Sequence, residues 1–164
     1  MATGDIAELR SALSYDKNTG NFTWLKSCGS VKAGDAATNV NAIGYSRVKI
    51  KGKSYLAHRL AWAFSYGEFP ASTIDHGNGI KTDNRIENLR QATRSENQMN
   101  RRKHCDNTSG FKGVTWNAAK NQWSARCAAN GKRVHVGYFN DAQSASFAYQ
   151  QVAQQMHGAF YNEV

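Results

Sequence analysis

The stretch TIDHGNGIKTDNRIENLRQATRSENQMN, residues 73–100, decides how this chain is read. It sets Asp75 beside His76 and follows them with Asn78, Asn84, Asn88, Asn97 and Asn100. From Gly77 to Glu87 only Ile80 and Ile86 are apolar. Such a segment cannot hold itself by burying side chains, so its backbone N–H and C=O groups need other partners. Asn78, Asp83, Asn84 and Asn88 can provide them by side-chain-to-backbone hydrogen bonds. The reading is a long loop held by its own amides.

The flanks give the loop a frame. Ile74-Asp75-His76 reads as the end of a strand, so the carboxylate and the imidazole leave on opposite faces. Leu89-Arg90-Gln91-Ala92 reads as a second short strand. Thr93-Arg94-Ser95-Glu96 has the spacing of a capping box, which starts a helix at Arg94 with Asn97 in its first turn and Asn100 about one turn later. An acid, a base and an amide set out in this way are the parts needed to hydrolyse a phosphodiester. An imidazole can take a proton from water near neutral pH. A hard divalent cation, which offsets charge building on the phosphoryl oxygens, is satisfied by one carboxylate, one amide oxygen and its own waters.

Composition agrees with a polyanionic partner. Lys and Arg number 21 against 12 for Asp and Glu, a formal net charge of +9. That balance favours DNA or RNA over an anionic membrane. Arg85, Arg90, Arg94, Arg101, Arg102 and Lys103 cluster around the decisive stretch. No apolar run approaches the ~18 residues of a membrane span, and MATGDIAELR lacks the features of a signal peptide, so a cytoplasmic, soluble protein is expected. Cys28, Cys105 and Cys127 are far apart and contain no C-x-x-C pair, which argues against a disulfide framework and against a structural-zinc protein.

Upstream, residues 5–14 read as a short helix with Ile6, Leu9 and Leu13 on one side. A turn at residues 16–20 leads to the strand Phe22-Thr23-Trp24, and residues 29–37 read as loop. YSRVKI and SYLA flank Lys51-Gly52-Lys53 as a hairpin. AHRLAWAFSYG reads as an amphipathic helix with Ala57, Leu60, Ala61 and Phe64 on one face, stopped by Gly67. His58, near the core on this helix, reads as a structural hydrogen-bonding residue rather than a catalytic one.

Downstream, RRKHCDNTSG is polar and rich in helix breakers, a linker in which His104 is a solvated side chain. In QWSARCAA, strand alternation sets Trp123, Ala125 and Cys127 against Ser124 and Arg126. Asn130-Gly131 signals a hairpin. In RVHVGYF, Val134 and Val136 share one face and Arg133 and His135 the other. Asp141 suits the N-cap of a helix whose stripe is Ala145, Ala148, Tyr149, Val152, Ala153 and Met156, ending at Gly158. A twisted sheet with arginines on its open face can enter a DNA major groove.

Residues 55–103, with the elements HR, DH, DNR, ENL and SEN in order, resemble the HNH endonuclease family, in particular phage and intron-encoded homing endonucleases with a ββα-metal fold. The resemblance implies that His76 is the general base and that Asp75 and Asn97 hold one divalent ion, Mg²⁺ or Mn²⁺. It implies that Asn88 organises the loop and positions the base, and that Arg94 touches the scissile phosphate. Residues 109–160, through GFKGVTW, the W-x-A-R strand, KRVHVGYF and the final helix, resemble the plant ethylene-response-factor (APETALA-type) DNA-binding domain. By position this maps DNA contacts onto Lys112, Arg126, Arg133 and His135. The sequence departs from that family where a second-strand arginine falls at Ala128 and a third-strand tryptophan at His135, so the recognised site does not carry over.

The expected fold is α+β. Residues 1–54 support the core, 55–103 form the nuclease, 104–110 the linker, and 111–164 a three-stranded antiparallel sheet on one helix. The expected function is a metal-dependent homing-type endonuclease acting on double-stranded DNA. Its DNA contacts are Arg85, Arg90, Arg101, Arg102 and Lys103 together with the sheet residues. A single catalytic centre suits nicking by a monomer, whereas cutting both strands would need a dimer or a second binding event. The rival reading is a sequence-specific DNA-binding regulator without catalysis.

Overall fold

Leu9, Leu13, Phe22, Val48, Leu60, Ile74 and Leu89 come from separate segments of sequence yet join one buried cluster. The computed structural model describes residues 4–100 and 106–161. It divides into two compact units, one ending at Gln91 and the other beginning at Ala92. The architecture is mixed α and β, with small antiparallel sheets in both units.

In the first unit, α1 spans Gly4–Ala12 and buries Ile6 and Leu9. The helix expected to reach residue 14 stops at Ala12, because Leu13 opens strand β1 (Leu13–Tyr15), paired antiparallel with β2 (Phe22–Trp24). Burial of Leu13 and stacking of Tyr15 on Phe22 at 4.7 Å outweigh one more helical turn. The turn between the strands is fixed by Asp16, whose carboxylate accepts from the Asn18 N–H at 2.9 Å and the Thr19 hydroxyl at 2.9 Å.

Strands β3 (Thr38–Val40), β4 (Ser46–Ile50) and β5 (Lys53–Leu56) form a sheet in that order. Along β4, Ser46, Val48 and Ile50 point into the core and Arg47 and Lys49 point out. The turn from β4 to β5 uses Lys51 and Gly52 at φ 48° and 79°, the doubly left-handed form that matches strand twist. Helix α2 (Ala57–Tyr66) follows, buries Ala57, Leu60 and Ala61, and ends where left-handed Gly67 returns its N–H to the Ala63 carbonyl at 3.0 Å. Leu60 is fully buried, so Leu60→Ala costs about 2–5 kcal/mol. Strands β6 (Thr73–His76) and β7 (Leu89–Ala92) then pair as a two-stranded sheet around the polar loop.

The second unit opens with α3 (Arg94–Met99), which carries the expected capping box. Thr93 Oγ1 accepts from the Glu96 N–H at 3.2 Å, and the Glu96 carboxylate accepts from the Thr93 N–H at 2.7 Å. Strands β8 (Val114–Asn117), β9 (Gln122–Ala129) and β10 (Lys132–Phe139) form an antiparallel sheet with β9 in the centre. Helix α4 (Ala142–His157) is capped by Asp141, whose carboxylate accepts from the Ser144 N–H at 2.7 Å. Its Ala145, Tyr149 and Ala153 pack with Val114, Ala125 and Cys127. The expected alternation on β10 needs one correction. A bulge between His135 and Gly137 shifts the register, so that Tyr138 lies opposite Ser124 and joins the face of Arg133 and His135. Val134 lies opposite Cys127 but is 39% exposed.

Candidate active site

The loop between β6 and β7 is clamped as its composition requires. Asn88 Oδ1 accepts from the Asn78 N–H at 3.0 Å, and its Nδ2 donates to the Asp83 carbonyl at 2.8 Å. The Asn88 carbonyl accepts from the Gly77 N–H at 2.8 Å. Asp83 accepts from Asn78 Nδ2 at 2.7 Å and from Arg85 Nε and Nη2 at 2.9 and 2.8 Å. Those hydrogen bonds from Arg85 pull the Asp83 carboxyl down to about 2. The other side of the Arg85 guanidinium pairs with Glu87 at 2.7 Å. Arg85, expected to face DNA, is therefore engaged by two carboxylates.

At the end of β6, Ile74, Asp75 and His76 are all buried. The His76 ring meets the His58 ring edge-on at 5.1 Å and lies 6.0 Å from Tyr45. Its Nε2 lies 3.4 Å from Asn84 Oδ1. Burial pushes the His76 imidazole below its ordinary pKa, while the contact with Asn84 and the nearby carboxylates Asp75 and Asp83 push the other way. His58 is buried, as a structural histidine should be, but its Nδ1 has no hydrogen-bond partner among the described residues. It is held by ring packing against His76 and, at 5.5 Å, Tyr45. Burial, then the neighbouring His76 and Arg59, lower it to about 4. The expected hydrogen-bonding role is thus corrected to a packing role.

Asp75 turns its carboxylate to β7. Arg90 Nε and Nη2 both reach Oδ2, at 2.9 and 2.7 Å, and the Asp75 side chain is 5% exposed. Arg90 therefore neutralises the buried acid, whatever else it touches. Asn97 is half-buried on α3 and Arg94 is exposed at the start of that helix, both in the second unit. Among the described residues no group of three or more His, Cys, Asp or Glu is placed to hold a metal ion. The available donors are a carboxylate and amide oxygens, a hard set that fits Mg²⁺ or Mn²⁺ with retained waters and does not fit a thiolate or imidazole cage.

In the second unit, Arg126 and Arg133 are exposed, and neither pairs with a carboxylate among the described residues. His135 lies opposite Arg126, its Nε2 is 3.3 Å from Ser124 Oγ, and its ring meets Tyr138 at 4.4 Å. Lys120 sits over Tyr138 at 4.1 Å. Lys112 is half-buried and donates to the Met99 carbonyl at 2.8 Å. Arg101, Arg102 and Lys103, with His104 and Cys105, lie outside the described residues.

Sequence reasoning misses Tyr45 and Asn84 beside His76, and Tyr15, whose hydroxyl donates to the Asn84 carbonyl at 2.8 Å. Tyr45 and Tyr15 carry no motif that marks them. Asn84 is visible in DNR, but only as a partner for the loop backbone.

Comparison with known proteins bears on residues 55–99, which match the family model described as HNH endonuclease. The chain is also similar to Protein 3.8 of Escherichia phage T7, at 29% identity over 104 residues, covering 63% of this chain and 85% of that protein. No solved structure matches at a significant level. No helix among the described residues is long and apolar enough to cross a membrane. The buried Asp-His pair, its clamped loop and β6 all fall inside the segment, residues 55–99, that is similar to the HNH endonuclease family.

Proposed function

We propose that this protein is a homing-type endonuclease of the kind encoded by phages, hydrolysing phosphodiester bonds in double-stranded DNA. One observation carries the reading: the buried pair Asp75–His76, at the mouth of an amide-clamped loop, inside the endonuclease-like segment. His76 accepts the proton of the attacking water at a ring nitrogen. Burial favours its neutral form, which is the form a general base needs. Asn88 holds the loop that carries His76 into the site. Asp75 and Asn97 hold the divalent cation, and Arg94 approaches the scissile phosphate. When bound, the Mg²⁺ or Mn²⁺ ion supplies charge stabilisation for the developing phosphoryl and leaving oxygens. The resemblance to the ββα-metal fold supports all four roles.

Residues 111–164 are the duplex-binding module, of the APETALA type by their resemblance. Arg126, Arg133 and His135 face the DNA, and the linker cations Arg101, Arg102 and Lys103 and the half-buried Lys112 add electrostatic contacts. One centre acting on one strand makes the product a nick.

The test is incubation of supercoiled plasmid with the full chain and Mg²⁺ or Mn²⁺, with and without EDTA. Open circles form with metal and not with EDTA. His76→Ala lowers the rate by roughly 10²–10⁴, the usual share of a general base, while plasmid retardation on a gel persists. Retardation without cleavage under any divalent ion establishes the binding-only regulator instead. Linear product ahead of open circles overturns nicking.

A further inference from the structure

We propose that the open face of the β3–β4–β5 sheet is a further duplex-binding surface, on which Arg47, held in place by Asn39, grips a DNA phosphate. The inference rests on the reading of duplex DNA as the partner. It gives residues 1–54 a contact role beyond supporting the core.

Alternation along β4 buries Ser46, Val48 and Ile50 and leaves Arg47 and Lys49 exposed. Asn39 stands opposite Arg47 on β3, and its Oδ1 accepts from Arg47 Nε at 3.0 Å. An arginine on an exposed strand samples many rotamers, and fixing it on a ligand costs side-chain entropy. The Asn39 amide removes part of that freedom before a ligand arrives. It occupies Nε and leaves the two Nη groups, and no carboxylate pairs with Arg47 among the described residues. Two N–H groups side by side at the end of a guanidinium match two oxygens of one phosphate. Lys49 adds a second cation with no carboxylate partner among the described residues. Lys51, in the turn that follows, is paired with Glu8 and stands outside this row.

The hairpin that carries the row is tied to the loop after His76. Asn41 Oδ1 accepts from the Ile43 and Tyr45 N–H groups at 3.1 and 2.9 Å, and the Gly44 N–H donates to the Asn41 carbonyl at 2.9 Å. Lys81 donates to the Ile43 carbonyl at 2.9 Å and lies over the Tyr45 ring at 4.9 Å. The Tyr45 ring is 6.0 Å from that of His76. Arg47 and Lys49 follow Tyr45 by two and four residues, roughly 7 and 14 Å of extended strand. Each strand of a duplex carries a phosphate about every 3.4 Å of its axis, so the row runs past about four nucleotides. Charge complementarity names the occupant: two exposed cations without acidic partners, in a chain of formal net charge +9, suit a polyanion. A phosphate backbone held there lies beside the site that is read as cutting it.

The experiment titrates the full chain against a labelled random-sequence duplex by fluorescence anisotropy, in EDTA and at several salt concentrations. Arg47→Ala and Lys49→Ala should each weaken binding roughly 3- to 10-fold and lower the slope of log affinity against log salt by about one. Arg47→Lys should keep the slope and lose affinity, because an ammonium keeps the charge and not the fork. Asn39→Ala should weaken binding roughly 2- to 5-fold and have no effect in the Arg47→Ala background, because the amide acts through the guanidinium. Thermal midpoints of these variants should match that of the unaltered protein, since all three side chains are exposed. Unchanged affinity and slope in Arg47→Ala overturn the proposal and leave the nuclease reading standing. Loss in Asn39→Ala that adds in full to that of Arg47→Ala overturns the part given to Asn39. The expected losses in a protein that cleaves nothing under any divalent ion overturn the nuclease reading and leave the surface standing. An unaltered chain that binds no duplex overturns both.

Discussion

The polar loop of the first unit and the β8–β10 sheet of the second both carry arginines, and they use them in opposite ways. In the loop and the strand after it, Arg85 grips Asp83 and Glu87, and Arg90 grips Asp75. On the sheet, Arg126 and Arg133 project from a hydrogen-bonded hairpin with no carboxylate paired to them among the described residues. The loop has little apolar surface to bury, so its charges and amides become internal structure. The sheet is held by its backbone ladder and by the core beneath it, so its arginines stay exposed. Polarity therefore means scaffold in one region and open surface in the other.

The strongest way to break this contrast is to remove a scaffold arginine. Asp75 is nearly buried and its Oδ2 takes both nitrogens from Arg90. Arg90→Gln takes the guanidinium charge away from that carboxylate, and breaking a buried pair on one side costs about 3–5 kcal/mol. Thermal unfolding in EDTA should show a drop of that size. Millimolar Mg²⁺ or Mn²⁺ should recover a large part of it, because a cation at Asp75 replaces the lost charge, and it should raise the midpoint of the unaltered protein less. Equal metal effects on both proteins would remove Asp75 from the cation site.

Buried histidines occur in both units, and acid sharpens the comparison. His157 Nε2 lies 3.1 Å from the Ala128 carbonyl and 3.4 Å from Cys127 Sγ, whereas His58 packs against the rings of His76 and Tyr45, and the Nδ1 of each histidine is buried with no hydrogen-bond partner among the described residues. Burial lowers both imidazoles, His58 to about 4 from an ordinary 6.5. Well above pH 6.5 neither the folded nor the unfolded chain protonates residue 58, and it contributes nothing to pH dependence. As pH falls from 6.5 toward 4, the unfolded chain takes up the proton and the folded chain does not, so stability is lost across that window. The loss is on the order of 3 kcal/mol by pH 4. Denaturant midpoints from about pH 7 to 4 measure it, and His58→Phe should flatten the slope more than His157→Phe does.

These contrasts mark what the sequence could and could not disclose. Local devices were legible: the capping box at Thr93–Glu96, the Lys51-Gly52 and Asn130-Gly131 turns, and the amide clamp of Asn78, Asp83 and Asn88. Each depends on residues close in sequence, so spacing alone carries the physics. Partners across space were not legible. Nothing in the order of residues says that Arg90 faces Asp75 across two strands, that Tyr15 reaches Asn84, or that Leu13 leaves a helix to pair with Trp24. The bulge before Gly137 was hidden for the same reason, since it depends on how β10 meets β9.

A smaller effect tests the clamp. Asn88→Ala strips the acceptor from the Asn78 N–H and the donor from the Asp83 carbonyl, and each group left without a partner costs about 1–3 kcal/mol unless water reaches it. Because the loop is partly exposed, water should satisfy much of the deficit, and the net loss of stability should lie at the low end. Hydrogen exchange should quicken at the Gly77 and Asn78 amides while that of β9 stays unchanged. Equal acceleration in both units would mean that the clamp supports the whole chain and not the loop alone.

The smallest stability effect belongs to the sheet, where the contrast makes its sharpest claim. Arg133 lies opposite Ala128 on the exposed face and has no paired carboxylate among the described residues, so Arg133→Ala should change stability by no more than about 0.5 kcal/mol. Its effect should appear in duplex binding. If the side chain contacts a phosphate, affinity falls for every sequence alike and the slope of log affinity against log salt decreases by about one. If it reads a base edge, affinity falls by about 1–3 kcal/mol on the preferred site and discrimination relaxes at one position. Retardation assays at several salt concentrations, on specific and random duplexes, separate the two. A variant that loses stability and keeps its affinity would show that Arg133 is scaffold after all, as Arg85 and Arg90 are, and the division between the two regions would fail at the residue where it is cleanest.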